Sequence, residues 1–273
     1  MSGRIPELLT RILSAAVLIP VLLFCMYQGG WWFFAFITVL MTLATWEYVR
    51  MLHRLDYHAQ HVFAVALVWV VLADSLFPTR GYLRPGVALL LVGSLCWHIL
   101  RDRSGTTVEN WLLPLAGALY IGWSAGHMLL LRALPQGAYR VFTVVCTMAL
   151  ADTGAFFVGR SLGKHRMAPR LSPKKTWEGM VGGIVLGAIT GSVLTSLGGQ
   201  GWVHGLVLGL LLSTLGPMGD LGESMIKRRA GVKDSSNLIP GHGGAFDRMD
   251  SMLVAGVIGY YYMVWVMGVV PVG

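Results

Sequence analysis

Residues 177–197 read WEGMVGGIVLGAITGSVLTSL, with one charge, Glu178, near the start and none after it. A membrane-spanning helix needs about 20 predominantly apolar residues, so this stretch reads as one span. Gly179, Gly183, Gly187 and Gly191 recur every fourth residue, which puts them in one smooth stripe on a helix. Small residues at that spacing let helix backbones approach closely in lipid. The stripe therefore reads as a packing surface rather than a ligand site, and it is compatible with a homodimer.

Outward from this span, eight further apolar runs follow the same logic: 11–28, 31–49, 60–77, 85–100, 110–131, 139–159, 203–222 and 251–270. Only 12% of the 273 residues are charged and 55% are hydrophobic, against roughly 25% charged in a typical soluble domain. That leaves too few charges for a water-facing surface and too much apolar content for disorder. The fold class expected is an all-α polytopic membrane protein with about nine transmembrane helices. The first run has its small residues (Ser14, Ala15, Ala16) at its start and no A-x-A-like site after Met26, so it reads as a retained span rather than a cleaved signal. Cys25, Cys96 and Cys146 all lie inside apolar runs and read as free thiols, neither a disulfide framework nor a zinc motif.

The net charge is +8, from 21 basic and 13 acidic residues, and its placement gives an orientation. With the N-terminus cytoplasmic, 17 of the 21 basic residues fall inside, among them Arg4, Arg11, Arg50, Arg54, Arg101 and Arg103. Only Arg80, Arg84, Arg132 and Arg140 fall outside. An excess of Lys and Arg marks cytoplasmic loops, so the charge reflects topology, not nucleic-acid binding, and a bacterial inner membrane is expected. The uncharged C-terminal tail then lies outside. The connections 160–176 and 223–250 are long and rich in Gly, Pro, Lys and Ser, whereas the intervening Gly198-Gly199-Gln200-Gly201 is short and uncharged. Chemistry is thus expected at the cytoplasmic end of the C-terminal helices. Residues 1–135 read as a scaffold of about five helices and 136–273 as a catalytic region of about four.

Ionisable residues at membrane depth are costly and default to functional hypotheses. Asp74, near the outer end of its span, reads as a solvated helix-end group, and Glu47, in Trp46-Glu47-Tyr48, as a snorkelling or structurally paired one. Asp220 and Glu223 sit three residues apart, on one face if the helix continues, and Asp247 and Asp250 repeat that spacing. Between the pairs come Lys227-Arg228-Arg229, Lys233-Asp234 and Pro240-Gly241-His242-Gly243-Gly244. Glycines let backbone N–H groups turn toward an anion, and a helix starting near Asp247 would add its dipole. Lysines and arginines supply positive charge. Carboxylates facing a phosphate suit Mg²⁺, which takes few carboxylates plus substrate oxygens. A basic segment before the seventh span, Ser172-Pro173-Lys174-Lys175-Thr176, adds two cations, and Asp152 lies about two helical turns before Arg160. The bland alternatives are a self-neutralising loop and an anchor for anionic lipid.

The run Ser224-x-x-Lys227-Arg228-x₄-Lys233-Asp234-x₄-Ile239-Pro240-x-His242-Gly243-Gly244-x-x-Asp247-Arg248-x-Asp250 closely resembles the signature of phosphatidate cytidylyltransferases, the CDP-diacylglycerol synthases. Residues 172–179 and Asp152, Gly159-Arg160 and Gly163-Lys164 resemble the same family. The resemblance implies a reaction: CTP and phosphatidic acid give CDP-diacylglycerol and pyrophosphate, with Mg²⁺ required and a second cation allowed. By the same resemblance Asp220 and Asp247 would hold the metal, with Glu223, Asp250 and Asp152 as further candidates. Lys174, Lys175, Lys227, Arg228, Lys233 and Arg248, with the Gly243 and Gly244 backbone, would meet phosphates of CTP or lipid. His242 would either donate to a phosphate or fix its loop. A CTP-dependent polyprenol or lipid kinase would share such a site, while a transporter would need midplane polar sites and repeated halves that this chain does not display.

Overall fold

A helix satisfies its own backbone, which is why apolar spans fold as helices in lipid, and the computed structural model follows that rule. It describes residues 7–101 and 107–270, so Arg4 and Arg103 of the charge count lie outside the described residues. Among the described residues there are nine α-helices: α1 (Glu7–Gln28), α2 (Gly30–His53), α3 (His61–Leu76), α4 (Leu83–Leu100), α5 (Val108–Ala133), α6 (Gly137–Leu162), α7 (Trp177–Leu197), α8 (Trp202–Arg229) and α9 (Phe246–Tyr261). Eight are long and apolar enough to cross a membrane, α9 by continuing through a wider turn, Tyr262–Val266. This is the all-α, multi-pass membrane architecture expected from the sequence. The ninth, α3, has 16 residues and rises about 24 Å at 1.5 Å per residue, short of the roughly 30 Å hydrocarbon core. Asp74 near its end accepts the Leu83 N–H at 2.9 Å, a helix-end role at the start of α4.

The chain forms two compact units, each assembled from two stretches: Met1–Leu129 with Ile226–Met249, and Leu130–Met225 with Asp250–Gly273. In the first, Gly29 and Gly30 (φ +66° and +47°) make the turn from α1 to α2, a left-handed backbone that side chains resist. The face of α2 that is buried carries Phe33, Ile37, Met41, Ala44 and Tyr48, the three- and four-residue spacing of one helical stripe. Trp69 on α3 donates its indole N–H to Thr42 Oγ1 on α2 at 2.8 Å. The Tyr48 ring occupies the space that a side chain at Gly117 of α5 would need, and its hydroxyl donates to the Leu113 carbonyl at 2.9 Å.

In the second unit the glycine stripe of α7 is occupied on both sides by the chain itself. A methyl at Gly183 would sit 2.9 Å from the Ala151 carbonyl of α6, and one at Gly191 would overlap the Gly205 carbonyl of α8. The stripe is a packing surface, as read, but its partners are α6 and α8, so it no longer argues for a second copy. Two differences from the sequence reading bear on the site. Helix α8 runs through Arg229 rather than ending near 222, with Lys227, Arg228 and Arg229 in its last turn, where cations complement the helix dipole. And the connection after α6 is not plain loop: β1 (Arg166–Ala168) and β2 (Ser172–Thr176) form an antiparallel hairpin. The hairpin is fastened to the first turn of α7. Thr176 Oγ1 accepts the Gly179 N–H at 3.2 Å. The Glu178 carboxylate accepts the Lys164 and His165 N–H groups at 3.1 and 3.2 Å and lies 2.6 Å from His165 Nδ1.

Close glycine packing of this kind predicts opposite outcomes at two glycines. Gly191→Val should lower the Tm of the detergent-solubilised protein sharply or abolish folded yield, because the added atoms meet backbone. Gly93→Ala in α4, where a methyl meets no neighbour within 4 Å, should keep or raise Tm by the helix preference of alanine, up to about 1 kcal/mol.

Candidate active site

The signature loop is built around two buried carboxylates. Helix α8 ends where Gly231 turns left-handed (φ +70°), and the Val232 N–H closes back on the Lys227 carbonyl at 2.9 Å. Farther on, Ile239 and Gly243 pair across a tight turn, with Gly241 and Gly243 at φ +75° and +81° on either side of His242. From the first turn of α9, Asp247 reaches back into this loop. Its Oδ2 accepts the Ser235 N–H (2.8 Å), the Ser235 hydroxyl (2.7 Å) and the Gly244 N–H (2.8 Å). Its Oδ1 lies 2.6 Å from Lys227 Nζ, and both side chains of that ion pair are buried.

The second carboxylate, Glu47, comes from α2 and is 3% exposed. It accepts the Ser236 hydroxyl (2.5 Å) and the N–H groups of Ala245 (3.1 Å) and Phe246 (2.9 Å), and it lies 2.9 Å from the Ser235 hydroxyl, whose one proton is shared with Asp247. Of the two readings of Glu47, the structure gives the structural pairing. Sequence reasoning missed how much it holds, and it missed Ser235 and Ser236, which sit at unspecified positions of the signature. The one available signal was that an acid at membrane depth needs partners.

These bonds bear on how phosphate could be met. The start of α9 and the glycines before it looked like a bare anion cradle in the sequence. Here the N–H groups of Gly244, Ala245 and Phe246 are directed at the protein's own carboxylates. His242 lies with Nδ1 2.7 Å from the Ser14 hydroxyl of α1, and its N–H bonds the Ile239 carbonyl at 2.9 Å. That contact fixes the loop and leaves the other ring nitrogen for a ligand. Arg228, Lys233 and Arg248 are exposed, with Arg228 donating to the Val232 carbonyl at 3.1 Å.

A separate cluster lies in the other unit. Successive side chains of a strand point to opposite faces, and this divides the adjacent lysines of β2. Lys174 is exposed, whereas Lys175 Nζ lies 2.5 Å from Asp220 Oδ2 and 3.4 Å from the Pro217 carbonyl. Ser224 donates to the other Asp220 oxygen at 3.2 Å, and Asp152 interacts electrostatically with both Lys175 and Asp220. Glu223 is buried on the same helix. Asp250 accepts the neighbouring Ser251 N–H at 2.6 Å.

Among the described residues no three His, Cys, Asp or Glu side chains form a ready metal cage. Mg²⁺ asks for less, since it keeps water and binds through one or two carboxylates plus substrate phosphates. The Asp152 and Asp220 carboxylates, sharing one lysine, fit that requirement with hard oxygen donors. In the other unit, Asp247 is a carboxylate already tied to an ammonium.

Each of the two units thus carries a lysine paired with an aspartate, on a chain whose long apolar helices are those of a multi-pass membrane protein. Comparison with known proteins narrows the class: a family model described as "Cytidylyltransferase family" matches residues 9–266, and the chain belongs to that family of nucleotidyltransferases. It is 34% identical over 266 residues to the phosphatidate cytidylyltransferase of Brucella suis, covering 94% of this chain and 93% of that one. The phosphatidate cytidylyltransferase of Bacillus subtilis is 32% identical over 249 residues (89% and 93% of the two chains). That of Pseudomonas aeruginosa is 32% identical over 273 residues (94% and 97%). The resemblance carried by the signature is borne out at the level of the family.

The two ion pairs predict different stability losses. Lys227→Met leaves the buried Asp247 carboxylate its hydrogen bonds but no cation, and removing one partner of a buried pair costs about 3–5 kcal/mol. Lys175→Met should cost less, because the Asp220 side chain is 29% exposed. Thermal unfolding of both variants in one detergent should show the larger fall in Tm for Lys227→Met.

Proposed function

We propose that this chain transfers CMP from CTP to phosphatidic acid, giving CDP-diacylglycerol and pyrophosphate for phospholipid synthesis. What carries the reading is that relatives named for this activity align with nearly the whole chain, and Asp152, Lys175, Asp220, Lys227 and Asp247 of the resemblance lie in the two charged clusters. The lipid phosphate is already an anion, so no strong general base is needed. A phosphate oxygen of phosphatidate forms a bond to the α-phosphorus of CTP, the bond from that phosphorus to the bridging oxygen breaks, and pyrophosphate leaves. The difficulty is electrostatic, since an anion must approach a triphosphate. Positioning and preorganised charge are the means proteins use against it.

In this reading Asp220, with Asp152, and Asp247 would hold Mg²⁺ and a second cation, with Glu223 and Asp250 orienting them. Bound there, the metal would neutralise triphosphate charge and stabilise the leaving pyrophosphate. Lys175 and Lys227, each now facing a carboxylate, would turn to phosphate oxygens. Lys174, Arg228, Lys233 and Arg248 are exposed and would meet incoming phosphate from solvent or the membrane surface. Gly243 would give the loop its turn, and His242 would donate from its remaining ring nitrogen to phosphate. The active site and N-terminus would face the cytoplasm of a bacterial inner membrane, in line with the distribution of Lys and Arg and with the bacterial relatives.

The test is label transfer by the purified protein with phosphatidate, Mg²⁺ and CTP labelled at the α- or γ-phosphate. Lipid-soluble label from α-labelled CTP alone is expected. Label from γ-labelled CTP alone would make the chain a lipid kinase, and no transfer to any of several lipid acceptors by folded protein would favour a transporter. Under the same conditions Asp247→Asn and Asp220→Asn should lose most turnover while remaining inserted and monodisperse, and chelation of Mg²⁺ should abolish it. Near-wild-type turnover of either variant at saturating Mg²⁺ would remove that aspartate from the metal site.

A further inference from the structure

Glu47 lies far from the signature in sequence and outside every motif of the resemblance. Yet a carboxylate that is 3% exposed is costly unless its charge is answered by hydrogen bonds. Here three neutral donors answer it, the Ser236 hydroxyl and two N–H groups at the start of α9, together with the Ser235 hydroxyl that it shares with Asp247. A helix start favours an anion in this position. The requirement is specific for a carboxylate, because glutamine would offer one accepting oxygen and turn an NH₂ donor toward donors. Gly244 belongs to the same fit, since a side chain there would overlap both Ser235 and the Glu47 carboxylate.

The contact reaches the chemistry through one atom. The Ser235 hydroxyl lies 2.9 Å from Glu47 Oε2 and 2.7 Å from Asp247 Oδ2, and it has a single proton for the two carboxylates. Ser235 also gives Asp247 its backbone N–H at 2.8 Å. Glu47 therefore constrains the donor set around Asp247 from one side while Lys227 closes it from the other. Phe246, held by Glu47 through its N–H, is the residue before Asp247, and its ring stands edge-on to Tyr48 of α2 at 6.3 Å.

We propose that Glu47 is a positioning residue for nucleotidyl transfer: from α2 it holds Ser235, Ser236 and the first turn of α9, and so sets the placement of Asp247 and the glycine loop before it. This rests on the reading that residues 227–247 form the substrate site. Groups that orient a metal-binding or reacting carboxylate typically change affinity or activity about 10–100-fold when altered, and that is the loss expected for Glu47→Gln.

The experiment compares wild type, Glu47→Gln, Glu47→Asp and Ser236→Ala as full-length, monodisperse protein in detergent. The readouts are kcat and KM for CTP and phosphatidate, Tm, and amide hydrogen exchange. Glu47→Gln should lose about 10–100-fold in kcat, and Glu47→Asp, which keeps the charge one methylene short, should recover part of it. Exchange should accelerate at Gly244, Ala245 and Phe246 in Glu47→Gln and stay unchanged in α6 and α7. A kcat within twofold of wild type for Glu47→Gln would overturn the proposal even if Tm fell, because a tie serving stability alone lowers the folded fraction and not turnover per folded molecule. Should both Glu47 variants fail to fold, Ser236→Ala removes one donor only. A several-fold loss of kcat is then expected, and wild-type kcat would overturn the proposal. A wild-type protein inert toward CTP and phosphatidate would instead defeat the proposed reaction. Exchange at Gly244–Phe246 would still decide whether Glu47 holds the loop, and unchanged rates there would overturn that part too.

Discussion

In hydrocarbon a backbone N–H or carbonyl without a partner costs several kcal/mol, and this constraint orders the chain from end to end. Helices meet it from within, which is why spans of eighteen residues and more account for most of the described residues. Where the chain leaves the helix, something else must supply the partners. Between α8 and α9 part of the supply is two carboxylates. Asp247 and Glu47 together accept the N–H groups of Ser235, Gly244, Ala245 and Phe246. The buried N–H groups of Gly244, Ala245 and Phe246 are thus held by acids that a membrane protein would otherwise be expected to avoid. Cost and use coincide: a buried carboxylate needs donors, and a loop at a helix start has donors to give.

The same bookkeeping shapes the chemistry. A site for a triphosphate and a phospholipid needs positive charge, but free ammonium groups packed together would repel. Here the two lysines that are not fully exposed each face an aspartate, Lys227 with Asp247 and Lys175 with Asp220. Each pair is close to neutral until an anion or a metal competes for one member. In the proposed reading a lysine freed by a cation would become a phosphate ligand, and a carboxylate freed by a phosphate would become a metal ligand. In the reading proposed above, substrate and metal would then favour each other's binding with no large rearrangement of the helices.

How far the sequence reaches can be judged from particular elements. Span seven and α7 coincide because hydropathy over twenty residues is what lipid selects. The glycine stripe was legible as packing, and Gly205 and Gly209 on α8, also four apart, mark its partner surface. The end of α8 was misjudged because hydropathy falls at Asp220 while helix continues: charged residues end a span without ending a helix. The β1–β2 hairpin was invisible because five residues, one of them Pro173, give too short an alternation to count, so the separation of Lys174 from Lys175 could not be foreseen. The aspartates and lysines of the site were legible as residue types at suggestive spacing. Glu47 was not, since its partners lie 188 to 199 residues away and only the fold brings them to it.

That distance alters what the N-terminal helices are for. Residues 1–129 and 226–249 make one compact unit, and within it α1 touches the signature through Ser14 and His242 while α2 touches it through Glu47. A bare lipid-side wall would need only apolar contacts to the rest of the chain. A hydroxyl on His242 and a carboxylate at the start of α9 are directional, and directional contacts restrict geometry in a way that apolar burial, which is proportional to area, does not. The first two helices therefore act on the signature loop as a template: they define where it sits and which of its N–H groups are engaged. A change in either helix that preserved hydropathy but lost Ser14 or Glu47 would keep the span and release the loop.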